Sequence, residues 1–278
     1  MGKKLRLAFF QFFPRIGDRK YNEEFVVNYM LENSIETDGL EIVVFPELAL
    51  TGYDLSREKF KALAKEFSTD NYSEFIKAIA HVEKKRGGRR LWVVGDARKG
   101  ACDSDESSCV YNSVVLLSSD GVVGYYDKLH LFFKEKERFI RGDKLGVFEF
   151  DGVKFGTLIC FDWIFPELSR LLVLNGAKIL LFSANLVLPY AQNAVWTRAV
   201  ENRSFVVLAN RIGRENNYTF TGRSRIVSPR GLVLAEVDAD STSYISVEVD
   251  LGETSSWITE KNNVFEDRHS LLKFKEEL

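Results

Sequence analysis

The sequence contains few cysteines and few histidines, three of each in 278 residues. Three cysteines are too few for the disulfide framework of a small secreted protein. No Cys-x-x-Cys pair or histidine pair has the spacing of zinc ligands, and His81, His130 and His269 are scattered along the chain. We therefore expect neither a metal site nor a cofactor.

The sequence also lacks an excess of charge of either sign. Its formal net charge is −2 at pH 7, whereas a protein that binds nucleic acid normally concentrates basic residues on one face. The one basic run, residues 86–90 (RGGRR), is interpreted as a solvated loop. Nucleic acid is therefore not expected as a partner.

No apolar run is long enough to cross a membrane. Residues 5–13 form an apolar run broken by Arg6 and Gln11. This run is shorter than the hydrophobic region of a signal peptide usually is. No run approaches the roughly 18 apolar residues of a membrane span. We expect a cytoplasmic protein without a membrane partner. In a reducing cytosol, Cys102 and Cys109 are expected as two free thiols in an acidic loop, with a disulfide between them as the alternative.

Strand-like apolar runs alternate with helix-like segments along the chain. The predicted strands include residues 5–12, 41–45, 91–96, 111–117, 153–159 and much of 219–236, and the predicted helices include 21–34, 56–67, 72–85, 166–175 and 190–202. Asp151-Gly152 predicts a hairpin between two strands. No Ser/Gly/Pro-rich linker divides the chain, so residues 1–278 are interpreted as one α/β domain. The sheet content favours two packed sheets covered by helices.

Cys160 ends an apolar segment, and Pro166 soon afterwards suits the first turn of a helix. A lone cysteine in this position is most often a buried small hydrophobic residue. A strand that turns tightly into a helix would instead expose the thiol at the end of the strand. It would also direct backbone N–H groups toward a developing oxyanion. Cys160 alone leaves both interpretations open.

A cysteine nucleophile needs a base, and histidine is the usual one. Nothing near His130 resembles a papain-type arrangement, however. Glu47 directly follows a buried strand and is expected at the same carboxyl edge of a sheet as Cys160. Taken singly, Glu47 fits an ion-paired carboxylate and Lys128 fits a surface lysine.

Taken together, five segments resemble the nitrilase superfamily of carbon–nitrogen hydrolases, in particular its small amidases, including ω-amidases, and its aliphatic nitrilases. In chain order they are residues 45–53 (FPELALTGY), 126–132 (YDKLHLF), 159–167 (ICFDWIFPE), 183–185 (SAN) and 198–203 (RAVENR). The resemblance covers nearly the whole chain. It implies a four-layer α-β-β-α sandwich and a homodimer in which a C-terminal arm, residues 251–278, reaches the partner.

The resemblance also implies catalytic roles. Glu47 would be the general base, Cys160 the nucleophile, and Lys128 the cation that stabilises the tetrahedral intermediate. Relatives have a second glutamate that positions the lysine and the substrate. Glu135 is favoured for this role because similar sequences place the glutamate there, and Glu137 is the alternative.

Four residues are candidates for substrate binding. The backbone N–H of Phe161 would complete the oxyanion hole, and Tyr53 and Asn185 would line the pocket. Trp163 is assigned either to the pocket wall or to the core, because a tryptophan side chain serves both.

Two carboxylates near the nucleophile, Asp162 and Glu167, are interpreted as structural. They would hold the turn after Cys160 by hydrogen bonds and ion pairs, with Arg198 as a partner. A carboxylate on the substrate would need a cation, and Arg138 and Arg211 are the candidates.

The expected reaction is hydrolysis of a small linear amide to a carboxylate and ammonia through a thioester. The alternatives with the same chemistry are a nitrilase for small aliphatic nitriles or dinitriles and an N-carbamoyl amide hydrolase. A catalytically silent scaffold with the same fold is the alternative of a different class. The joint presence of Glu47, Lys128 and Cys160 argues against it.

Overall fold

The computed structural model of the protein describes residues 2–101, 109–255 and 263–267. Its strands are β1 (Lys4–Gln11), β2 (Leu40–Val44), β3 (Lys65–Glu66), β4 (Arg89–Gly100), β5 (Cys109–Ser118), β6 (Gly121–Asp127), β7 (Val147–Phe150), β8 (Val153–Ile159), β9 (Ile179–Ala184), β10 (Phe205–Asn210), β11 (Arg214–Glu215), β12 (Tyr218–Thr219), β13 (Arg225–Val227), β14 (Val233–Glu236) and β15 (Ser243–Asp250). Its α-helices are α1 (Arg19–Asn33), α2 (Arg57–Leu63), α3 (Ser73–Arg86), α4 (Glu135–Arg138), α5 (Pro166–Leu174) and α6 (Ala191–Asn202). Three short 3₁₀ helices span Asp70–Tyr72, Cys160–Ile164 and Leu251–Thr254.

The strands form two large sheets. The first has the order β15-β1-β2-β4-β5-β6, with β3 beside β4, and the second has the order β14-β13-β10-β9-β8-β7. Strands β11 and β12 form a separate short hairpin. The inner strands β1, β2 and β4 are parallel, as are β8, β9 and β10. Parallel strands are normally buried on both faces, which explains their nearly continuous apolar sequences.

The side chains of β1 alternate between two cores. Leu7 and Phe9 pack into the core that joins the two sheets, whereas Phe10 packs into the core beneath α1 and α3. On the far side of the second sheet, Leu172 of α5 and Val195 of α6 are fully buried against the strands. The layers are therefore helix, sheet, sheet and helix, and the predicted α-β-β-α sandwich is confirmed.

Most predicted elements are present, with one local difference. The hairpin at Asp151-Gly152 is confirmed by the antiparallel pairing of β7 with β8. The helix predicted over residues 56–67 ends at Leu63, because Lys65 and Glu66 pair with the end of β4 instead. The β structure predicted within 219–236 is present as β12, β13 and β14, and β13 pairs antiparallel with β14.

The prediction of two free thiols in the acidic loop is wrong for Cys109, which is disulfide-bonded. The β4–β5 hairpin pairs Gly100 with Cys109 and so brings the two ends of this loop side by side. Cys102 lies outside the described residues, as does most of the C-terminal arm predicted over 251–278. The interpretation of residues 1–278 as one domain stays a prediction. No helix in the described part of the chain is long and apolar enough to span a membrane.

Candidate active site

Three of the predicted catalytic residues follow the ends of strands. Glu47 lies shortly after β2, Lys128 directly after β6 and Cys160 directly after β8. Strands β2 and β6 belong to the first sheet and β8 to the second, so the packing of the two sheets brings the three segments together.

Lys128 lies between two carboxylates. Its Nζ is 2.6 Å from Oε1 of Glu47 and 2.8 Å from Oε2 of Glu135, and all three side chains are almost completely buried. The backbone N–H of Phe132 donates to Oε2 of Glu135 and the hydroxyl of Tyr53 donates to Oε1, at 3.1 and 2.8 Å. The cluster is therefore fixed from several directions.

The structure distinguishes the two candidate second glutamates. Glu135 begins α4 and is only 1% exposed, in contact with Lys128, whereas Glu137 is exposed to solvent. The two residues are separated by about 200° around a helix, so only one of them can face the buried lysine.

Asn112 of β5 is a member of the cluster that the sequence reasoning missed. Its Nδ2 donates to Oε1 of Glu47 at 2.7 Å, and its backbone oxygen accepts from the N–H of Lys128 at 2.9 Å. The other oxygen of Glu47, Oε2, is buried without a hydrogen-bond partner among the described atoms. One carboxylate oxygen is thus held in place while the other is available for proton transfer. The only signal in the sequence is a polar residue inside an apolar strand.

The turn at Cys160 has an unusual backbone. Its φ of +40° lies in the left-handed region, which costs a non-glycine residue energy and often marks a functional site. The chain then enters the 3₁₀ helix Cys160–Ile164 and, at Pro166, α5. The predicted tight turn from strand to helix is present, and Cys160 is 7% exposed at the pocket described below.

Asp162 joins the nucleophile segment to the lysine segment. Its Oδ2 accepts from the backbone N–H of Ile159 at 2.9 Å and from the hydroxyl of Tyr126 at 2.8 Å. Its Oδ1 accepts from the backbone N–H of His130 at 3.1 Å, and the imidazole Nδ1 is also within 2.7 Å. Asp162 therefore fixes the position of Cys160 relative to Lys128.

The predicted contact between these structural carboxylates and Arg198 is wrong. Arg198 pairs with Glu201, one turn further along α6, and donates to the backbone oxygen of Trp163. Glu167 is exposed on the first turn of α5. The buried backbone oxygen and the adjacent glutamate satisfy the guanidinium.

Burial and the neighbouring charges set the protonation of the cluster. Burial raises the pKa of Glu47, and the ammonium of Lys128 opposes this effect. Burial acts to lower the pKa of Lys128, but Glu135 and Glu47 together outweigh it, so the pKa rises and the ammonium keeps its proton. Burial and the charge of Glu47 raise the pKa of Cys160, so the thiol is protonated before it reacts.

A small pocket opens above the thiol, with a cavity volume of about 20 Å³. Its described lining is mainly aromatic and aliphatic and consists of Tyr53, Phe132, Cys160, Phe161, Trp163, Asn185, Leu186, Val187, Leu188 and Tyr218. All four residues predicted to bind substrate therefore lie at the pocket. Trp163 lies at the pocket and also belongs to the main hydrophobic core.

Two glycines allow close backbone approaches at the site. A Cβ at Gly95 of β4 would lie 2.8 Å from the Cα of Glu47, and one at Gly142 would lie 2.8 Å from the backbone carbon of Asp127. The N–H of Gly142 donates to the backbone oxygen of Lys128 at 3.0 Å. Both glycines therefore lie directly against the segments that carry the charged cluster.

The two cations proposed to bind a substrate carboxylate already have partners. Arg138 Nη2 lies 2.6 Å from Oδ1 of Asp54, and Arg211 Nη1 lies 2.7 Å from Oε2 of Glu215. Oε1 of Glu215 also accepts from the backbone N–H of Tyr53 at 2.8 Å. These ion pairs stabilise the wall of the pocket, and neither arginine lines it.

Comparison with known proteins gives the family of this chain. The family profile described as Carbon-nitrogen hydrolase matches residues 6–259. This chain belongs to the carbon–nitrogen hydrolase family. It is 34% identical to the nitrilase of Pyrococcus abyssi, over 98% of this chain and 100% of the relative. It is also 34% identical to the 2-oxoglutaramate amidase of Bacillus subtilis, over 84% of this chain and 86% of the relative.

The fold of this carbon–nitrogen hydrolase is found in solved structures. Nit3 of Saccharomyces cerevisiae, a member of branch 10 of the nitrilase superfamily, matches with a TM-score of 0.75 and 23% identity, over 92% of this chain and 93% of that one. This likeness shows the fold, and the family match shows that the protein is a carbon–nitrogen hydrolase, as its five motifs predicted.

Proposed function

We propose that this carbon–nitrogen hydrolase cleaves a small linear amide to a carboxylate and ammonia, with Cys160 as nucleophile, Glu47 as general base and Lys128 as the stabilising cation. The observation that carries the proposal is the ammonium of Lys128 held between the buried carboxylates of Glu47 and Glu135 beside the pocket that contains the thiol. Amidases are also among the most similar relatives.

In the first half of the reaction, Glu47 takes the proton of the Cys160 thiol as the sulfur attacks the amide carbon. Lys128 and the backbone N–H of Phe161 stabilise the negative charge that develops on the oxygen. Glu47 then returns the proton to the amide nitrogen, the C–N bond breaks and ammonia leaves. The acyl group remains on Cys160 as a thioester.

In the second half, Glu47 takes a proton from water, and the hydroxide attacks the thioester carbon. The tetrahedral intermediate collapses, the C–S bond breaks and the thiolate regains the proton from Glu47. Throughout the reaction, Glu135 holds Lys128 and Asn112 holds Glu47 in position through the hydrogen bonds described above.

The same residues can attack a nitrile and form a thioimidate, so a substrate panel distinguishes the two reactions. Butyramide and butyronitrile form a matched pair, and an N-carbamoyl amine tests the third reaction. We expect the enzyme to consume butyramide and release ammonia, and we expect Cys160→Ala to show no turnover. Chromatography measures how much substrate is consumed. Consumption of the nitrile without that of the amide would overturn the preference for amides.

We also propose that the protein functions as a cytoplasmic homodimer. Helices α5 and α6 leave Leu171 and Trp196 more than a third exposed, which supports a contact between copies on this face. Light scattering after size exclusion is expected to give twice the chain mass of 31.8 kDa. A mass of one chain in both dilute and concentrated samples would contradict the dimer, and cell fractionation tests the location.

A further inference from the structure

The described lining of the pocket has no positive charge to offer the distal part of a substrate. None of its described residues is a lysine, arginine or histidine. Arg138 and Arg211, the two candidate cations, are neutralised by Asp54 and Glu215, respectively. A carboxylate placed in an apolar pocket without a cationic partner loses its hydration and gains nothing in return.

The charge beneath the pocket also disfavours an anion. Lys128 carries one positive charge, and Glu47 and Glu135 carry one negative charge each when ionised, so the ionised cluster has a net charge of −1. All three side chains are buried, where electrostatic interactions are screened less than in water. A substrate carboxylate near this cluster would be repelled.

Asn185 is the polar residue of the pocket that is ready to accept a ligand. Its side chain is buried, and both Nδ2 and Oδ1 have no hydrogen-bond partner among the described atoms. A carboxamide offers one donor group and one acceptor, so it suits an uncharged polar group. Buried polar atoms of this kind are normally satisfied by water or by a ligand.

From these observations we infer that the enzyme selects amides whose acyl chain is uncharged, and that it discriminates against the monoamides of dicarboxylic acids. This inference rests on the proposed amide hydrolysis and names its substrate class. Asn185 and the aromatic residues of the pocket accept a neutral chain. The pocket offers no cation that would compensate the lost hydration of a carboxylate.

Three amides of nearly the same shape test the inference: succinamate, succinamide and 4-methylpentanamide. They carry a carboxylate, a carboxamide and an isopropyl group at the same position. We expect kcat/KM for each neutral amide to exceed that for succinamate by at least 100-fold. Succinamate as an equal or better substrate would overturn the inference and leave amide hydrolysis intact.

If only nitriles are turned over, the proposed function fails, and the same comparison is made between 3-cyanopropanoate and 4-methylpentanenitrile. A preference for the neutral nitrile supports the inference, and a preference for the charged one overturns it. If neither series is turned over, both proposals fail.

Leu188 lines the pocket and is only partly buried, so it provides a matched pair of variants. Leu188→Arg introduces a cation and Leu188→Gln introduces a neutral polar group of similar length. We expect Leu188→Arg to raise kcat/KM for succinamate relative to succinamide at least tenfold, and Leu188→Gln to leave the ratio within threefold. An unchanged ratio in a folded Leu188→Arg would show that the missing cation is not the cause of the selectivity and would overturn the inference.

Discussion

The hydroxyl of Tyr53 donates a hydrogen bond to Oε1 of Glu135 across 2.8 Å, and both side chains are buried. Tyr53 is also a wall of the pocket, so one residue connects the substrate site to the carboxylate that holds Lys128. Any displacement of Tyr53 by a poorly fitting substrate is therefore expected to disturb the charged cluster. Tyr53 itself is held by Glu215, which accepts from its backbone N–H.

Glu135→Gln is expected to lower kcat about 100-fold, because the neutral amide no longer holds Lys128 in place by charge. A loss of this size corresponds to about 2.7 kcal/mol of transition-state stabilisation. Glu137→Gln, two residues away and exposed, is the matched control and is expected to change kcat less than twofold. Steady-state kinetics measures both, and equal effects of the two substitutions would contradict the assignment.

The rate should depend on pH through Glu47. The base must be ionised in the free enzyme, so kcat/KM falls as the pH is lowered through its pKa. Burial is the main cause that raises this pKa above the ordinary value of 4.5, so the acid limb is expected above pH 4.5. The unfolding midpoint, measured at each pH, separates this effect from loss of structure. An acid limb below pH 4.5 would contradict the role of Glu47.

Glu47→Gln is expected to stabilise the folded protein by about 1 kcal/mol at pH 7 while it abolishes turnover, because it removes one charge from a buried cluster. The native pKa of Glu47 is raised above its unfolded value. The wild type therefore loses stability as the pH rises from the pKa of Glu47 in the unfolded chain to its pKa in the native protein. The variant lacks this titrating group and does not lose stability in the same way. Urea unfolding at pH 5 and pH 8 tests this sign: a larger advantage of the variant at the lower pH would refute the prediction.

Asp162→Ala is expected to reduce the free energy of unfolding by about 3 kcal/mol, since buried donors from Ile159, Tyr126 and His130 lose their acceptor. Activity should fall with it, because Cys160 is no longer tied to the lysine segment. Glu167→Ala, which removes an exposed carboxylate from the first turn of α5, is the control and should change stability by less than 0.5 kcal/mol. Comparable losses of stability in the two variants would argue against the role of Asp162 in holding Cys160 relative to the lysine segment.

Much of the site could be predicted from the sequence, because the motifs lie where apolar strands end. Glu47, Lys128 and Cys160 each follow a strand, and packing of the sheets brings strand ends together. Asn112 could not be found in this way, since its contact with Glu47 depends on β5 lying beside β4 in the sheet. The pairing of Arg211 with Glu215 was missed for a similar reason: residues four apart meet predictably only on a helix, and these precede and enter a short hairpin.

The glycine at position 95 has a consequence for how such an enzyme could change during evolution. Because the backbone of β4 lies directly against Glu47 at this point, the location of the base is set by the contact of two main chains. The residues that shape the pocket belong largely to loops, such as the one that contains Val187 and Leu188. Substrate preference can therefore diverge through these loops without moving the reactive groups, whereas even one methyl group at position 95 would displace the base.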